Sequence, residues 1–136
     1  MSRWFPETMA FRVKVLHAKA LRNVARVINQ DPFVEATVVL PNSDGNVEDH
    51  VGEDGRAQQH QQQQHGKSLG RRPKRTRTVM AGGVNPVWES RNVLEFNDVP
   101  PEAVVVLDVW DKEFMSHNRL IGSGLVRLCE FEEDGA

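Results

Sequence analysis

The stretch AVVVLDVW, residues 103–110, is rich in β-branched and apolar side chains. A short apolar run of this length, bounded by turn residues, is consistent with a strand that is buried on both faces. Two prolines precede the run and a polar segment, residues 111–119, follows it. The sequence therefore predicts a central strand of a β-sheet at residues 103–110.

Five further segments on either side of this run also have strand character. Apolar residues alternate with Arg12 and Lys14 near the start of the chain, which is the period-2 pattern of a half-buried strand. The six predicted strands are residues 11–18, 31–40, 75–80, 88–96, 103–110 and 120–128. Since no segment outside the loops has a sustained helical period, we predict an all-β antiparallel sandwich or barrel.

A polar segment at about residues 41–73 separates the second and third predicted strands. It is acidic at first, then glutamine-rich at residues 58–65, and then basic. Too little apolar surface is available there to offset the entropy of ordering, so we predict a disordered insertion at a loop tip. Without these 33 residues, 136 − 33 = 103 remain, which matches the roughly 100 residues of a sandwich domain. We expect a single domain over residues 1–136.

Composition excludes several functional classes. Seventeen Lys and Arg against 19 Asp and Glu give a net charge of −2, so we expect no nucleic-acid partner. A single cysteine, Cys129, cannot form an internal disulfide, and no apolar run approaches the roughly 20 residues of a membrane span. No phosphate-binding glycine loop or nucleophile motif is present, so we expect no enzymatic activity. A cytoplasmic location, with peripheral membrane association as an option, is the expectation.

A basic stripe lies at the end of the polar segment, because residues 66–80 contain no acidic side chain. Near an anionic leaflet, each such charge contributes about 1 kcal/mol to binding. The alternative is a solubilising edge without a ligand. The candidate lipid- or anion-binding residues are Arg71, Arg72, Lys74, Arg75 and Arg77.

Five short blocks of the sequence form a recognisable series when they are taken in order. They are Val13–Leu21, Asp31–Val34, Arg75–Thr78, Asn85–Glu89, and Val109–Glu113 followed by Leu120–Gly122. Each block alone is a weak pattern, but together they cover nearly everything outside the insertion. The series resembles the C2 domain family, the calcium- and phospholipid-binding sandwich of the protein kinase C and synaptotagmin type.

The resemblance implies an antiparallel Greek-key β-sandwich of eight strands, with three loops at one edge. Six strands are evident and the last one or two are not visible before Ala136. Either residues 4–9 supply one strand, or the chain is the N-terminal part of a longer protein. An open sheet edge favours association, so self-association through that edge is a further expectation.

The resemblance also implies a calcium site, in which two aspartates of the first loop and three of the third supply oxygen ligands. The matching positions here hold Ala25, Asp31, Asp111, Glu113 and Arg119. Only three of these are acids, and a calcium ion takes six to eight oxygen ligands. We therefore predict a degenerate site that uses Asp31, Asp111 and Glu113. Structural roles for these acids are the favoured interpretation, and weak binding of one calcium ion is the alternative.

Apolar residues at the predicted loops are candidates for contact with a membrane. They are Val27 and Ile28 in the first loop and Phe114 and Met115 in the third. Burying such side chains is worth roughly 1.5–3 kcal/mol each. For Val27 and Ile28 the alternative is packing over the end of the sandwich.

The resulting hypothesis is a non-enzymatic docking module that binds anionic phospholipid through the basic stripe with little calcium dependence and without a cofactor. One alternative is a scaffold module that binds an acidic protein partner and no lipid. A further alternative is a calcium-dependent phospholipid binder.

Overall fold

Seven β-strands and one turn of 3-10 helix make up the regular structure of the part of the chain that the computed structural model describes, residues 7–25, 29–41, 67–68, 71–89 and 92–130. The elements are β1 (Met9–Lys14), β2 (Pro32–Leu40), β3 (Lys67–Ser68), β4 (Lys74–Arg75), β5 (Val93–Val99), β6 (Val104–Asp111), β7 (Arg119–Arg127) and the 3-10 turn Leu128–Glu130. Within these ranges, no helix is long and apolar enough to cross a bilayer.

The larger sheet is built around the two apolar runs of the sequence. Strands β2 and β6 pair antiparallel along their length, from Pro32 opposite Asp111 to Val39 opposite Val104. Strand β7 pairs with the other side of β6, whereas β3 and β4 follow one another along the free side of β2. The run at residues 103–110 therefore forms a central strand, as predicted.

The smaller sheet consists of β1 and β5, which pair antiparallel. Its inner face packs on the larger sheet, and the core between them contains Ala36, Val38, Phe96 and Val105, all at most 3% exposed. This arrangement confirms the prediction of an all-β antiparallel sandwich. The outer edges of β1, β5 and β7 pair with no strand among the described residues.

The other face of the larger sheet carries a row of polar side chains that runs across its strands. Glu35 on β2 lies opposite Asp108 on β6, and both are buried. Arg75 on β4 lies opposite Glu35, and Ser123 on β7 lies opposite Asp108 and donates a hydrogen bond to its carboxylate. Because burying a carboxylate is costly unless it is compensated, this row determines which substitutions the sheet tolerates.

The strand predicted at residues 75–80 is much shorter, since β4 ends at Arg75. The chain continues beside β2, but the Val34 N–H donates to the Thr76 hydroxyl, so a side chain replaces a ladder bond. Further along, Val79 N–H donates to the Pro32 carbonyl, and proline has no N–H to return the bond. The regular ladder is therefore lost after Arg75.

The strand predicted at residues 88–96 begins only at Val93, and it extends to Val99. Trp88 belongs to a different pairing, because its N–H donates to the carbonyl of Leu16, 2.6 Å away. A turn in which Asn92 N–H donates to the Glu89 carbonyl then separates this contact from β5.

The predicted insertion at about residues 41–73 is only partly covered by the described residues. Lys67–Ser68 pairs with Val39 and Leu40, so regular structure resumes inside the range that the sequence assigned to the insertion. Residues 42–66 and 69–70 lie outside the described ranges, and the extent of the insertion stays a prediction.

Candidate functional site

Three connecting segments meet at one end of the sandwich, and Asp31 joins them. They are the first loop, residues 15–31, the second loop, residues 76–92, and the third loop, residues 112–118. The Asp31 carboxylate accepts a hydrogen bond from Ala81 N–H at 2.5 Å, and its carbonyl accepts one from Lys112 N–H at 2.9 Å. Asp31 is therefore a link between all three loops.

Gln30 reinforces the contact between the first and second loops. Its side chain is 1% exposed, and its amide Nε2 donates to the carbonyls of Arg22 (3.0 Å) and Gly83 (3.1 Å). Its Oε1 accepts from Val24 N–H at 3.0 Å. The Gln30 carbonyl accepts a bond from Gly83 N–H, and Gly83 has a φ of 67°, a conformation that favours glycine. The sequence did not indicate this role for Gln30, because a single polar residue before a strand has no distinctive pattern.

Two arginines link the first loop to β7. Arg119 Nη1 donates to the Val24 carbonyl at 2.8 Å. Arg22 Nη2 donates in the opposite direction, to the Leu120 carbonyl at 3.1 Å. Among the described residues, Arg119 forms no ion pair with Asp31 or Asp111, and its guanidinium bonds to the Val24 carbonyl instead.

The three acids predicted at this end do come together. Asp111 is 1% exposed, and its Oδ1 accepts from Asp31 N–H at 2.8 Å. Its Oδ2 is buried and has no hydrogen-bond donor within the described ranges. Burial, a hydrogen bond to Asp111, and the charges of Asp111 and Asp31 raise the pKa of Glu113, while Arg119 lowers it.

Replacing Glu113 by glutamine is expected to stabilise the protein at neutral pH. Because the folded state holds the Glu113 proton more tightly than the unfolded chain does, stability falls as the pH rises from the ordinary pKa of 4.5 through the raised value. Glu113→Gln cannot ionise, so at neutral pH we expect it to raise the free energy of unfolding by up to about 1 kcal/mol, the scale for a partly exposed group. Urea unfolding of the parent and the variant at pH 4 and pH 7 measures this difference. An advantage of the variant that is equal at both pH values would contradict the assignment.

The positions of Asp31, Asp111 and Arg119 show whether this end of the sandwich fits a calcium ion. The Oδ1 atoms of Asp31 and Asp111 already accept main-chain hydrogen bonds, and Arg119 lies opposite Asp111 in the pairing of β6 with β7. Among the described residues, no group of three or more acidic, histidine or cysteine side chains is arranged to hold a metal. Calcium requires six to eight oxygen ligands, so the donors that the structure describes do not fit this ion.

Large apolar side chains project from two of the three loops. Phe114 is 78% exposed and Met115 is 96% exposed, at the predicted tip of the third loop. Met80, in the second loop, is 60% exposed and directly precedes Ala81, which is bonded to Asp31. Sequence reasoning missed Met80 because its segment was interpreted as a strand. The signal in the sequence was an apolar residue just before the Gly82-Gly83 turn. The other predicted tip residues, Val27 and Ile28, lie outside the described residues.

In the structure, the basic stripe lies along the β4 side of the larger sheet, and we call this surface the basic ridge. All of its members have exposed side chains, and the segment runs alongside β2 toward the three-loop end. An extended segment of this length spans roughly 20 Å. Met80 follows at the loop end, so the ridge and the apolar tip are continuous. The ridge residues are Arg71, Arg72, Lys74, Arg75 and Arg77.

Three of the ridge cations have partners within the protein. Arg75 Nε forms an ion pair with Glu35 at 2.7 Å, and its guanidinium lies 5.2 Å from the centre of the Phe33 ring. Lys74 Nζ lies 5.3 Å from the centre of the Phe96 ring. The Arg71 guanidinium donates to the carbonyls of Asn97 and Asp98.

The side chains of Arg72 and Arg77 have no ion pair or hydrogen bond with the described residues. Both are exposed to solvent. Arg77 is fixed at its backbone, where its N–H donates to Asn92 Oδ1 at 3.0 Å and its carbonyl accepts from the Trp88 indole. These two cations are thus the members of the ridge with the most freedom to bind an external anion.

Fold and site together define an antiparallel β-sandwich that presents three linked loops at one end and a basic ridge along one edge. The C2 domain family model matches residues 66–136, which is more than half of the chain. The chain belongs to the C2 domain family. Among curated proteins, no sequence matches it significantly.

Solved structures agree with this fold. A C2 domain of plant Extended Synaptotagmin 1 is similar with a TM-score of 0.61 and 21% identity, over 93% of this chain and 72% of that one. A C2 domain of RIM from Drosophila has a TM-score of 0.61 and 14% identity, over 95% and 82%. Human GIVD cytosolic phospholipase A2 has a TM-score of 0.62 and 15% identity, over 95% of this chain but 14% of the enzyme.

Proposed function

We propose that this protein is a non-enzymatic docking module that binds anionic phospholipid surfaces through the basic ridge, with little or no dependence on calcium. The observation that carries the proposal is the exposure of Arg72 and Arg77 on an edge where no acidic residue intervenes between residues 66 and 80. Membrane association of this kind is electrostatic, so it weakens as salt shortens the Debye length.

The apolar tip supports the same orientation on the membrane. Met80, Phe114 and Met115 project from loops that share Asp31 as a hydrogen-bond partner, so they lie at one end of the sandwich. The ridge approaches that end through Arg77. We propose that the ridge contacts lipid headgroups while the tip enters the interfacial region, as amphipathic surfaces do on anionic membranes. Val27 and Ile28 are proposed as additional tip residues.

Neutralising the two unpartnered ridge cations is expected to weaken binding strongly. At about 1 kcal/mol per charge near an anionic surface, Arg72→Gln/Arg77→Gln loses about 2 kcal/mol, or roughly thirtyfold in the partition coefficient. The measurement is co-sedimentation with phosphatidylserine–phosphatidylcholine vesicles in chelator-containing buffer, over a range of salt concentrations.

A charge-matched control separates this effect from net charge. Arg12→Gln/Lys19→Gln removes the same two charges from exposed positions on β1 and in the first loop. We expect the control to bind within about threefold of the parent. Equal binding of both double variants, or binding that does not respond to salt, would overturn the proposal.

A scaffold module that binds an acidic protein is the second candidate, and the unpaired outer edges of β1, β5 and β7 in the described part of the chain favour it. Exposed strand edges recruit further strands, including those of a second copy. Failure to bind vesicles together with concentration-dependent light scattering would support this candidate. A calcium-dependent lipid binder is the third, and vesicle binding that requires millimolar calcium would support it.

A further inference from the structure

The three-loop end of the sandwich is cross-linked by side chains of the protein itself. Arg119 reaches from β7 to the Val24 carbonyl, and Arg22 reaches from the first loop to the Leu120 carbonyl. These two bonds connect the same pair of segments in opposite directions. Charged donors make the stronger class of hydrogen bond, so the pair holds the first loop against the start of β7.

The acids at this end are engaged internally through one carboxylate oxygen each, while Asp111 Oδ2 has no donor among the described residues. Asp31 and Asp111 each accept a main-chain N–H, and both residues are buried. Arg119 lies directly opposite Asp111 in the pairing of β6 with β7. A cation is therefore already present on the strand position beside Asp111, and it belongs to a side chain.

A metal ion at the end of a sandwich would do two things, which are to neutralise the acids and to hold the loops together. Here Arg119 contributes its charge to the first task and its hydrogen bond to the second. Arg22 and Gln30 add three further bonds to main-chain carbonyls, two of them between segments and one within the first loop. The acids that remain do not fit calcium, and these bonds connect the described parts of the loops without it.

We infer that Arg119, assisted by Arg22, replaces a bound metal ion at the three-loop end, so that the loops are ordered in the absence of calcium and do not respond to it. This inference concerns the folded state of the protein and does not depend on the proposed lipid binding. It assigns to Arg119 a positioning role for the first loop, which it holds against the start of β7.

The test is thermal unfolding of the chelator-stripped protein, with and without millimolar calcium, in the parent and in two neutral variants. Arg119→Met keeps an extended side chain and removes the cross-link and the charge. Lys112→Met removes an exposed charge from the third loop and serves as the matched control, because the Lys112 side chain has no ion pair or hydrogen bond with the described residues. We expect Arg119→Met to lower the Tm by about 5 °C or more and Lys112→Met by less than about 2 °C.

A third variant, Arg119→Asp, tests the inference in the opposite direction, by asking whether calcium can take the place of the lost arginine. It replaces the internal cation by a fourth carboxylate, so we expect a low Tm in chelator that calcium partly restores, while the Tm of the parent changes by less than about 1 °C with calcium. Terbium luminescence sensitised by the protein should appear for Arg119→Asp and not for the parent. A saturable rise in the parent Tm with calcium, or an unchanged Tm in Arg119→Met, would overturn the inference.

Discussion

Reversing the charge of Arg75 is expected to destabilise the fold by about 3 kcal/mol, even though this residue belongs to the exposed basic ridge. Its partner Glu35 has a side chain that is only 5% exposed, whereas the Arg75 side chain is 56% exposed. Asp108 lies directly opposite Glu35 on the neighbouring strand. Arg75→Glu would therefore remove the cation paired with Glu35 and place a second carboxylate beside it, on a sheet that already buries Asp108.

Urea unfolding measures this effect, and Arg77→Glu is the control because it reverses a neighbouring ridge charge without an ion pair in the described residues. We expect Arg77→Glu to change stability by no more than about 0.5 kcal/mol. In a protein that already carries Glu35→Gln, adding Arg75→Glu should lower the free energy of unfolding much less than it does in the parent. Equal urea midpoints for the parent and Arg75→Glu would show that the Arg75–Glu35 contact carries no stability.

This result decides how lipid-binding experiments on the ridge are interpreted. A variant that includes Arg75→Glu would lose membrane binding by partial unfolding as well as by charge loss. Arg72 and Arg77 are the cations whose substitution reports on binding alone, because no bond within the described part of the protein depends on their side chains.

Replacing the three tip residues by serine is expected to reduce vesicle binding more than any change to the ridge. At the lower end of the range for burying a large apolar side chain, about 1.5 kcal/mol each, the variant Met80→Ser/Phe114→Ser/Met115→Ser loses roughly 4.5 kcal/mol, or more than a thousandfold. Its folding should be unaffected, since all three side chains are at least 60% exposed. Vesicle co-sedimentation at several lipid concentrations measures the partition coefficient.

Three exposed apolar residues outside the tip provide a control. In Leu16→Ser/Val87→Ser/Leu125→Ser, one change lies on β7 and two lie where the first and second loops pair with each other, next to the bond from Trp88 N–H to the Leu16 carbonyl. We expect this variant to bind vesicles within about threefold of the parent. If it binds as weakly as the tip variant, the tip is not an insertion surface. If the tip variant binds like the parent, the interaction is electrostatic and the ridge alone carries it.

The single substitution Met80→Ser separates the contribution of the second loop from that of the third. It should reduce binding by about tenfold, in line with one apolar side chain. Unchanged binding would confine the tip to Phe114 and Met115.

The central strands of the sandwich were predictable from sequence because their signal is local. Two apolar runs with β-branched residues coincide closely with β2 and β6, and burial on both faces of the sheet requires such runs. The predicted grouping of Asp31, Asp111 and Glu113 is also observed, since each is adjacent to the end of a strand. The resemblance to the C2 domain family, drawn from five short motifs, agrees with the family model match.

Other features depend on which residues face one another across the sheets and loops, and no local pattern contains that information. Arg75 and Arg77 look equivalent in sequence, yet only Arg75 lies opposite a buried carboxylate, because β4 pairs with β2 at Glu35. Strand β4 ends at Arg75 because the Val34 N–H donates to the Thr76 hydroxyl and not to a main-chain carbonyl.

The sequence by itself thus determined the two central strands, the C2 family and the basic and acidic segments, since each arises from neighbouring residues. Only the tertiary structure decided that Met80 belongs to the tip, that Arg119 bonds to Val24, and that two cations of the ridge are left for an external ligand. The physical reason is that hydrogen bonds and ion pairs between residues as far apart as Val24 and Arg119 depend on how the strands and loops pack.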